Sequence, residues 1–254
     1  PMHAYGHPAE MGDLLALCRE YDIVVIEDAA EALGSRYRDL HCGTLGDLGV
    51  FSFNGNKTVT TGGGGMIVTE DEALAARAKH LTTTAKTDHP WSYMHDAVGY
   101  NFRMPNINAA LGCAQMERLE NLLATKQRQA GRLRELLRGV EGVDPVFPET
   151  GDSNCWLNLA RVHPGDRDEI LTGLNKRGIQ ARASWMPICD MPPYRDFEQF
   201  EIRAAHGDEP KREHGIEFGI LDVVLDLEAF GGGKHPHPVD LARRQRRQFL
   251  LQPP

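Results

Sequence analysis

The sequence has few of the features that mark secreted, membrane or nucleic-acid-binding proteins. Its five cysteines, at positions 18, 42, 113, 155 and 189, form no close pair, so neither a zinc knuckle nor a disulfide framework is indicated. The longest apolar stretches fall far short of the ~20 residues of a membrane helix, and the opening residues lack a signal-peptide pattern. A net charge of −8 argues against non-specific binding to nucleic acid or to anionic membranes. We therefore expect a cytoplasmic protein that binds neither nucleic acid nor a membrane.

The residues that are present follow the periodicities of an α/β protein. With 41% apolar and 25% charged residues, the chain of 254 residues has the composition of a soluble globular protein. Strands that alternate with helices indicate a parallel or mixed sheet covered by helices. Helices are predicted over residues 8–21, 71–82, 106–138 (with or without a break) and 166–177. Strands are predicted over residues 23–26 (expected to be fully buried), 49–53, 66–68, 156–159 and 179–182.

One lysine stands at a position suited to chemistry. Lys57 lies between a short apolar run, residues 50–53, and the four glycines 62–65. The apolar run predicts the end of a buried strand, and in open α/β sheets ligands bind where the strands end. A partly desolvated lysine at such a place can act as an amine nucleophile. The alternative interpretation is a glycine-rich surface turn with a solvated lysine.

Asp28 adds a second functional group. It follows the predicted strand 23–26, and so we expect it at a nearby exit of the same sheet. An aspartate and a nucleophilic lysine together suit pyridoxal 5'-phosphate: the amine forms an imine with the aldehyde, and the carboxylate keeps the pyridine nitrogen protonated. Ser52 and the glycines that follow it can offer hydroxyl and backbone N–H groups to a phosphate. The structural alternative for Asp28 is a helix N-cap after the strand.

Three segments, taken together, resemble one protein family. They are residues 25–34 (VIEDAAEALG), 52–65 (SFNGNKTVTTGGGG) and 99–104 (GYNFRM). Their order and spacing strongly resemble the DegT/StrS family of pyridoxal-phosphate sugar aminotransferases, and the resemblance extends over residues 1–190. It implies an α/β fold of the fold-type-I aminotransferases, with the C-terminal part of the large-domain sheet and a small α/β C-terminal domain.

The resemblance also implies roles for five residues. Lys57 would carry the imine and then move a proton between the two carbons of the substrate imine. Asp28 would pair with the pyridine nitrogen, and Glu31 would lie beside the ring, near the hydroxyl group of the cofactor. Ser52 would bind the cofactor phosphate. Asn101 would reach the phosphate in the neighbouring subunit, so that a homodimer shares its active sites.

The same resemblance suggests the substrates. The Asn-Gly-Asn-Lys segment with its four glycines is most similar to the branch that aminates UDP-linked 4-keto-6-deoxy sugars, of the legionaminic acid and bacillosamine type. This implies that glutamate donates an amino group to such a sugar in cell-surface glycan biosynthesis.

The length of the chain differs from that of the family. Chains of the family begin much earlier, so the resemblance implies an N-terminally truncated sequence. We expect residues 1–138 to be the remainder of the cofactor-binding large domain, ending in a long helix. Residues 139–194 are expected to form the small α/β domain, entered through a linker over 139–151, and residues 195–254 an atypical tail of uncertain structure.

Two other functions are open at this point. The strand 24–28 and the segment 55–58 (GNKT) are faintly similar to the Walker-B strand and the phosphate-binding loop of a nucleotide hydrolase, although the full spacing of that loop is absent. The second alternative is a truncated relative that keeps an interface of the fold but not its chemistry. Such a chain would act as a non-catalytic partner subunit or be inactive.

Overall fold

The computed structural model describes residues 1–147, 151–186, 188–194, 197 and 219–220. The chain divides into two units, 1–224 and 225–254, and every described residue belongs to the first. Most of the predicted tail therefore lies outside the described residues. The α-helices are α1 (Met11–Glu20), α2 (Glu72–Thr82), α3 (Asn106–Met116), α4 (Leu119–Leu137) and α5 (Arg167–Lys176). The strands are β1 (Ile26–Asp28), β2 (Arg36–Tyr37), β3 (Leu40–His41), β4 (Leu48–Ser52), β5 (Gly65–Val68), β6 (Val143–Val146), β7 (Leu159–Val162) and β8 (Gly219–Ile220).

Strands β1, β4 and β5 form the main sheet, in that order. β1 and β4 are parallel, with Asp28 opposite Val50, whereas β4 and β5 are antiparallel, with Ser52 opposite Gly65. The predicted mixed sheet is confirmed, and the strands predicted nearest to β4 and β5 match them to within one residue. Because β1 and β4 run in the same direction, the loops that follow them leave the sheet at the same edge.

The two faces of the main sheet differ in burial. Glu27 and Phe51 are buried on the face that packs against Met11 of α1. On the other face, Ile26 and Val50 are 53% and 38% exposed. The prediction that the first strand is fully buried is therefore wrong, and the strand also begins only at Ile26. The physical reason is that α1 covers one face of the sheet and leaves the opposite face open.

The helices follow the predicted pattern closely. The helix predicted over 106–138 is confirmed with a break, because two residues, Glu117 and Arg118, separate the end of α3 from the start of α4. The start of α2 is fixed by Asp71, whose carboxylate accepts hydrogen bonds of 2.7 and 2.9 Å from the N–H groups of Ala73 and Leu74. No helix in the described part of the chain is long and apolar enough to cross a membrane.

A second, smaller sheet follows α4. β6 and β7 are antiparallel, with Val143 opposite Val162, and β8 pairs with the other side of β7. The prediction of a linker over 139–151 is wrong where β6 forms. Pro145 concealed this strand, because proline cannot donate a ladder hydrogen bond. It is tolerated here since β6 lies at the edge of its sheet.

Two strands predicted in this region are placed differently. The strand predicted over 156–159 begins only at Leu159, and residues 179–182 do not form a regular strand. The second segment closes the C-terminal end of α5 instead. The Ile179 N–H donates a 3.0 Å hydrogen bond to the Leu174 carbonyl, and the Asn175 side chain donates one of 2.8 Å to the carbonyl of Ala181. These hydrogen bonds occupy backbone groups that a strand would need.

Candidate active site

The loops that follow β1 and β4 meet at Lys57. The lysine closes a tight turn, in which its N–H donates a 3.0 Å hydrogen bond to the carbonyl of Asn54. Its Nζ lies 3.5 Å from Oε1 of Glu31, and the two side chains are only 13% and 7% exposed. The attraction between the two charges is stronger in such a desolvated pair than in water. The structure thus brings together two predicted site residues, and the alternative of a solvated surface lysine is wrong.

Glu31 is an unusual carboxyl group. Burial raises its pKa above the ordinary value, and this effect outweighs the lowering by a 2.7 Å hydrogen bond from the Tyr5 N–H and by the charge of Lys57. The negative charge of Asp28 raises the pKa further. A carboxyl group with a raised pKa beside an amine is suited to proton exchange. Glu31 can therefore contribute chemistry as well as hold the lysine.

Asp28 and Ser52 lie on the open face of the main sheet. Asp28 is opposite Val50, and Ser52 follows Val50 by two residues, so both side chains point to the same face. Asp28 is exposed, and its Oδ1 accepts a 3.1 Å hydrogen bond from the Ala30 N–H. The next element is the strand β2, so the alternative of a helix N-cap is wrong. The Oγ of Ser52 accepts a long, 3.4 Å hydrogen bond from the N–H of Asn54.

Asn101 lies apart from these residues. It is exposed, and it pairs with Thr83 in an isolated antiparallel bridge. It lines a cavity of about 880 Å³ between β4, β5, α2 and the segment that follows Asn101. Lys57, Asp28 and Ser52 are not among the described residues that line this cavity. Within one chain the structure does not join Asn101 to the rest of the candidate site, and its role stays a prediction.

Three aromatic residues that the sequence analysis missed complete the surroundings of Lys57. Trp156 is 4% exposed, and the lysine Nζ lies 4.1 Å from the centroid of its ring, which is a cation–π contact. The ring of Trp185 lies 6.4 Å from that of Trp156, and Tyr5 stacks on Trp185 at 4.6 Å. The sequence offered one indication of these residues, the small number of tryptophans: the chain has three, and two of them lie here.

A buried, hydrogen-bonded pair of side chains fixes the end of β1. Next to Asp28, Glu27 is fully buried together with His3. The His3 Nδ1 accepts a 3.0 Å hydrogen bond from the Ala9 N–H, so its Nε2 carries the proton and donates to Oε2 of Glu27 at 2.8 Å. The same carboxylate accepts three backbone hydrogen bonds, from the N–H groups of Gly43, Leu45 and Gly46. Burial raises the pKa of Glu27, but these hydrogen bonds outweigh it, so the pKa is lowered and the group is a charged anchor.

The residues present fit pyridoxal phosphate. Lys57 offers an amine, Asp28 an exposed carboxylate and Ser52 a hydroxyl group. The hydroxyl of Thr58, next to the lysine, is buried and has no hydrogen-bond partner among the described residues. A Cβ built on Gly55 would meet nothing within 4 Å, so the backbone of this turn leaves room for a ligand. The described residues hold no group of three or more His, Cys, Asp or Glu side chains that could bind a metal ion.

Known proteins are similar in sequence to this chain. The model of the DegT/DnrJ/EryC1/StrS aminotransferase family matches residues 1–209. GDP-perosamine synthase from Caulobacter vibrioides is 39% identical over 210 residues, which cover 81% of this chain and 56% of that protein. The chain therefore spans little more than half the length of this relative.

Solved structures share the fold. PseC from Helicobacter pylori, described as an aminotransferase involved in the biosynthesis of pseudoaminic acid, matches with a TM-score of 0.78 and 24% identity, over 90% of this chain and 62% of that one. A putative sugar aminotransferase from Streptococcus pneumoniae, solved in its PLP-form, matches with a TM-score of 0.70 and 25% identity, over 77% of this chain and 56% of that one. The predicted α/β fold of the fold-type-I aminotransferases is confirmed by these matches.

Proposed function

Because the chain belongs to the DegT/DnrJ/EryC1/StrS aminotransferase family, we propose that the protein is a pyridoxal-phosphate-dependent aminotransferase that acts on a nucleotide-linked keto sugar. Glutamate donates the amino group, and the product enters cell-surface glycan biosynthesis. The observation that carries this proposal is the desolvated contact between Lys57 and Glu31, beside the strand end that bears Asp28. Membership of this family also rules against the nucleotide hydrolase considered above.

The residues of the site divide the work among themselves. Bound pyridoxal phosphate supplies an aldehyde that reacts with an amine and a ring that accepts electrons. Lys57 provides the amine and acts as a base, and Glu31 exchanges protons with it. Asp28 holds the ring nitrogen in its protonated form, and Ser52 binds the phosphate. The PLP-form of the related sugar aminotransferase supports this choice of cofactor.

For the acceptor we propose a UDP-linked 4-keto-6-deoxy sugar. Its support is the Asn-Gly-Asn-Lys segment with its four glycines. GDP is the second candidate for the nucleotide, because the relative that is 39% identical is named a GDP-perosamine synthase.

We also propose a homodimer with shared active sites. Asn101 lies within a segment rich in exposed apolar side chains, and such clusters are typical of protein interfaces. A second chain that covered this segment would place its own surface next to Asn101. Within the described part of one chain, Asn101 does not contact the rest of the candidate site. Five of these side chains are at least 72% exposed: Trp91, Tyr93, Val98, Phe102 and Ile107.

We also propose a domain division and a cellular location. The small sheet begins after α4, which supports a division between a large domain, 1–138, and a small domain, 139–194. We propose the cytoplasm as the place of the reaction, as the composition predicts.

An amination assay tests the function and its nucleotide together. The full-length protein is incubated with pyridoxal phosphate, glutamate and a 4-keto-6-deoxy sugar linked to UDP, GDP or dTDP, and amino sugars are detected by mass spectrometry. We expect the UDP sugar to react fastest and Lys57→Ala to abolish every product. A faster reaction of the GDP sugar would replace the proposed nucleotide. Amination of none of the three would favour the non-catalytic relative.

A further inference from the structure

Trp156 contacts Lys57 in two ways. Its ring lies under the lysine Nζ, 4.1 Å from the ring centroid. Its indole Nε1–H donates a 2.7 Å hydrogen bond to the carbonyl of Asn56, the residue before the lysine. One buried side chain therefore holds both the head group of Lys57 and the backbone from which that head group extends.

Asn154 fixes Trp156 in this position. Asn154 is fully buried, and its Oδ1 accepts a 2.9 Å hydrogen bond from the Trp156 N–H. Its Nδ2 donates to the carbonyls of Glu31 and Leu33, at 2.8 and 3.0 Å. Its own N–H donates a 3.0 Å hydrogen bond to the Oγ of Ser35. The tryptophan is thus tied to the loop that carries the acidic partner of Lys57.

The backbone of Trp156 is held on its carbonyl group as well. Its carbonyl accepts a 3.1 Å hydrogen bond from the Nζ of Lys126, which lies on α4. The backbone N–H and carbonyl groups of Trp156 are therefore both held by residues other than Lys57. With its backbone anchored and its indole N–H hydrogen-bonded to Asn56, Trp156 has the contacts that positioning Lys57 requires.

We propose that Trp156 is a positioning residue for Lys57, and that it holds the amine against Glu31 where the cofactor attaches. A lysine side chain has four rotatable bonds, and contacts that order it in advance reduce the entropy lost on reaction. The cation–π contact holds the ammonium group of Lys57 over the face of the Trp156 ring. The ion pair with Glu31 fixes the position of that group over the ring. The role in cofactor attachment rests on the proposed function, whereas the ordering of the lysine does not.

Chemical labelling without cofactor tests the ordering of the lysine. The full-length protein is treated with acetic anhydride, and peptide mass spectrometry compares acetylation of Lys57 with that of the exposed Lys176. In the wild type we expect Lys57 to react slowly. Trp156→Leu should raise its relative labelling about tenfold, the upper part of the range for a desolvated cation–π contact. Tyr21→Leu, at a position that is 63% exposed at the end of α1, is the control and should leave the labelling of Lys57 unchanged.

Trp156→Phe separates the ring face from the hydrogen bond. It keeps an aromatic ring but loses the indole donor, so most of the wild-type protection should return. If Trp156→Leu unfolds without cooperativity, that variant is not properly folded, and Trp156→Phe then decides the result. Equal labelling of Lys57 in the wild type and in Trp156→Phe and Trp156→Leu would overturn the proposal. Labelling that rises equally in both variants would assign the effect to the Asn56 hydrogen bond and overturn the role of the ring.

A second measurement uses the cofactor. The circular dichroism that bound pyridoxal phosphate acquires in the visible range reports its orientation. We expect Trp156→Leu to lose most of this signal and to lower kcat more than it raises KM, while Trp156→Phe restores part of both. A wild type that takes up no cofactor but shows the predicted labelling would overturn the proposed function and support the ordering of Lys57. An unchanged dichroism and kcat in Trp156→Leu would overturn the role of Trp156 in cofactor attachment.

Discussion

The surroundings of Lys57 and of Asn101 differ, although both residues were predicted to contact a cofactor, Lys57 in its own subunit and Asn101 in the neighbouring one. Lys57 is nearly buried and is held by Glu31 and Trp156 of its own chain. Asn101 is exposed in a segment whose apolar neighbours, such as Phe102, face solvent. This difference fits the proposal that the reactive part of the site is assembled within one chain, whereas the part around Asn101 serves a second copy.

The largest effect is expected from Asp28→Asn, which tests the part of the site that lies within one chain. An amide cannot keep the pyridine nitrogen protonated, so the ring loses its capacity to accept electrons. We expect the half-reaction with glutamate, followed by stopped-flow absorbance, to slow by about 10²–10³-fold while cofactor binding persists. Asp144→Asn, at an exposed position on β6, is the control. A rate within about threefold of the wild type would show that Asp28 has another role.

A smaller effect, on stability, is expected from Gly6→Ala. Gly6 has a φ of +83°, and a Cβ at this position would lie 2.0 Å from Oδ1 of Asn154. The substitution should therefore lower the free energy of unfolding by about 1–3 kcal/mol, as measured by urea denaturation. At Gly139 φ is +80° and a Cβ would meet nothing within 4 Å, so Gly139→Ala, which adds the same backbone strain without the clash, is the matched control. Equal stability of the two variants would mean that the buried contacts of Asn154 do not hold this region together.

The third prediction tests the region of Asn101. Phe102 is 72% exposed, so Phe102→Ser should leave the free energy of unfolding of the protomer within about 0.5 kcal/mol. If a second chain covers this side chain, the dissociation constant of the dimer should rise by about tenfold or more in analytical ultracentrifugation. Leu136→Ser, at a position 59% exposed on α4, should not change it. An unchanged dimer in the Phe102 variant would place the interface elsewhere.

The smallest effect is expected from the titration of Glu31. Burial raises the pKa of this carboxyl group in the folded state. A raised folded-state pKa contributes stability that is present below the unfolded pKa and is lost as the pH rises through the folded one. Glu31→Gln cannot acquire the buried charge, so it should gain unfolding free energy relative to the wild type as the pH rises from below the ordinary value of 4.5 towards neutrality. Glu135→Gln, on the exposed side of α4, is the control, and a difference that shrinks as the pH rises would reverse the assigned sign.

The sequence predicted those parts of the site that depend on local patterns. Asp28 and Ser52 are the last residues of β1 and β4, and Lys57 lies in the loop after β4, so their placement at one edge of a sheet could be inferred from strand ends alone. The same local patterns located the helices. They failed at Pro145, where an edge position permits a residue that a strand usually excludes.

The parts that escaped prediction depend on contacts between distant segments. The hydrogen bond from Trp156 to Asn56 joins residues 100 positions apart, and that from Asn154 to Glu31 joins residues 123 positions apart. No periodicity or spacing near Trp156 indicates such a contact. The exposure of Ile26 was likewise unpredictable, because it depends on which elements cover the sheet and not on the strand itself.

Reductive trapping tests most directly whether the chemistry is assembled around Lys57. The full-length protein is mixed with pyridoxal phosphate and reduced with sodium borohydride, and the modified peptide is identified by mass spectrometry. We predict that the cofactor is attached to Lys57, whose amine contacts Glu31 and Trp156. We further predict that Lys57→Ala removes the label without moving it to another lysine. Stable attachment to a different residue, such as Lys86, would contradict the central role of Lys57.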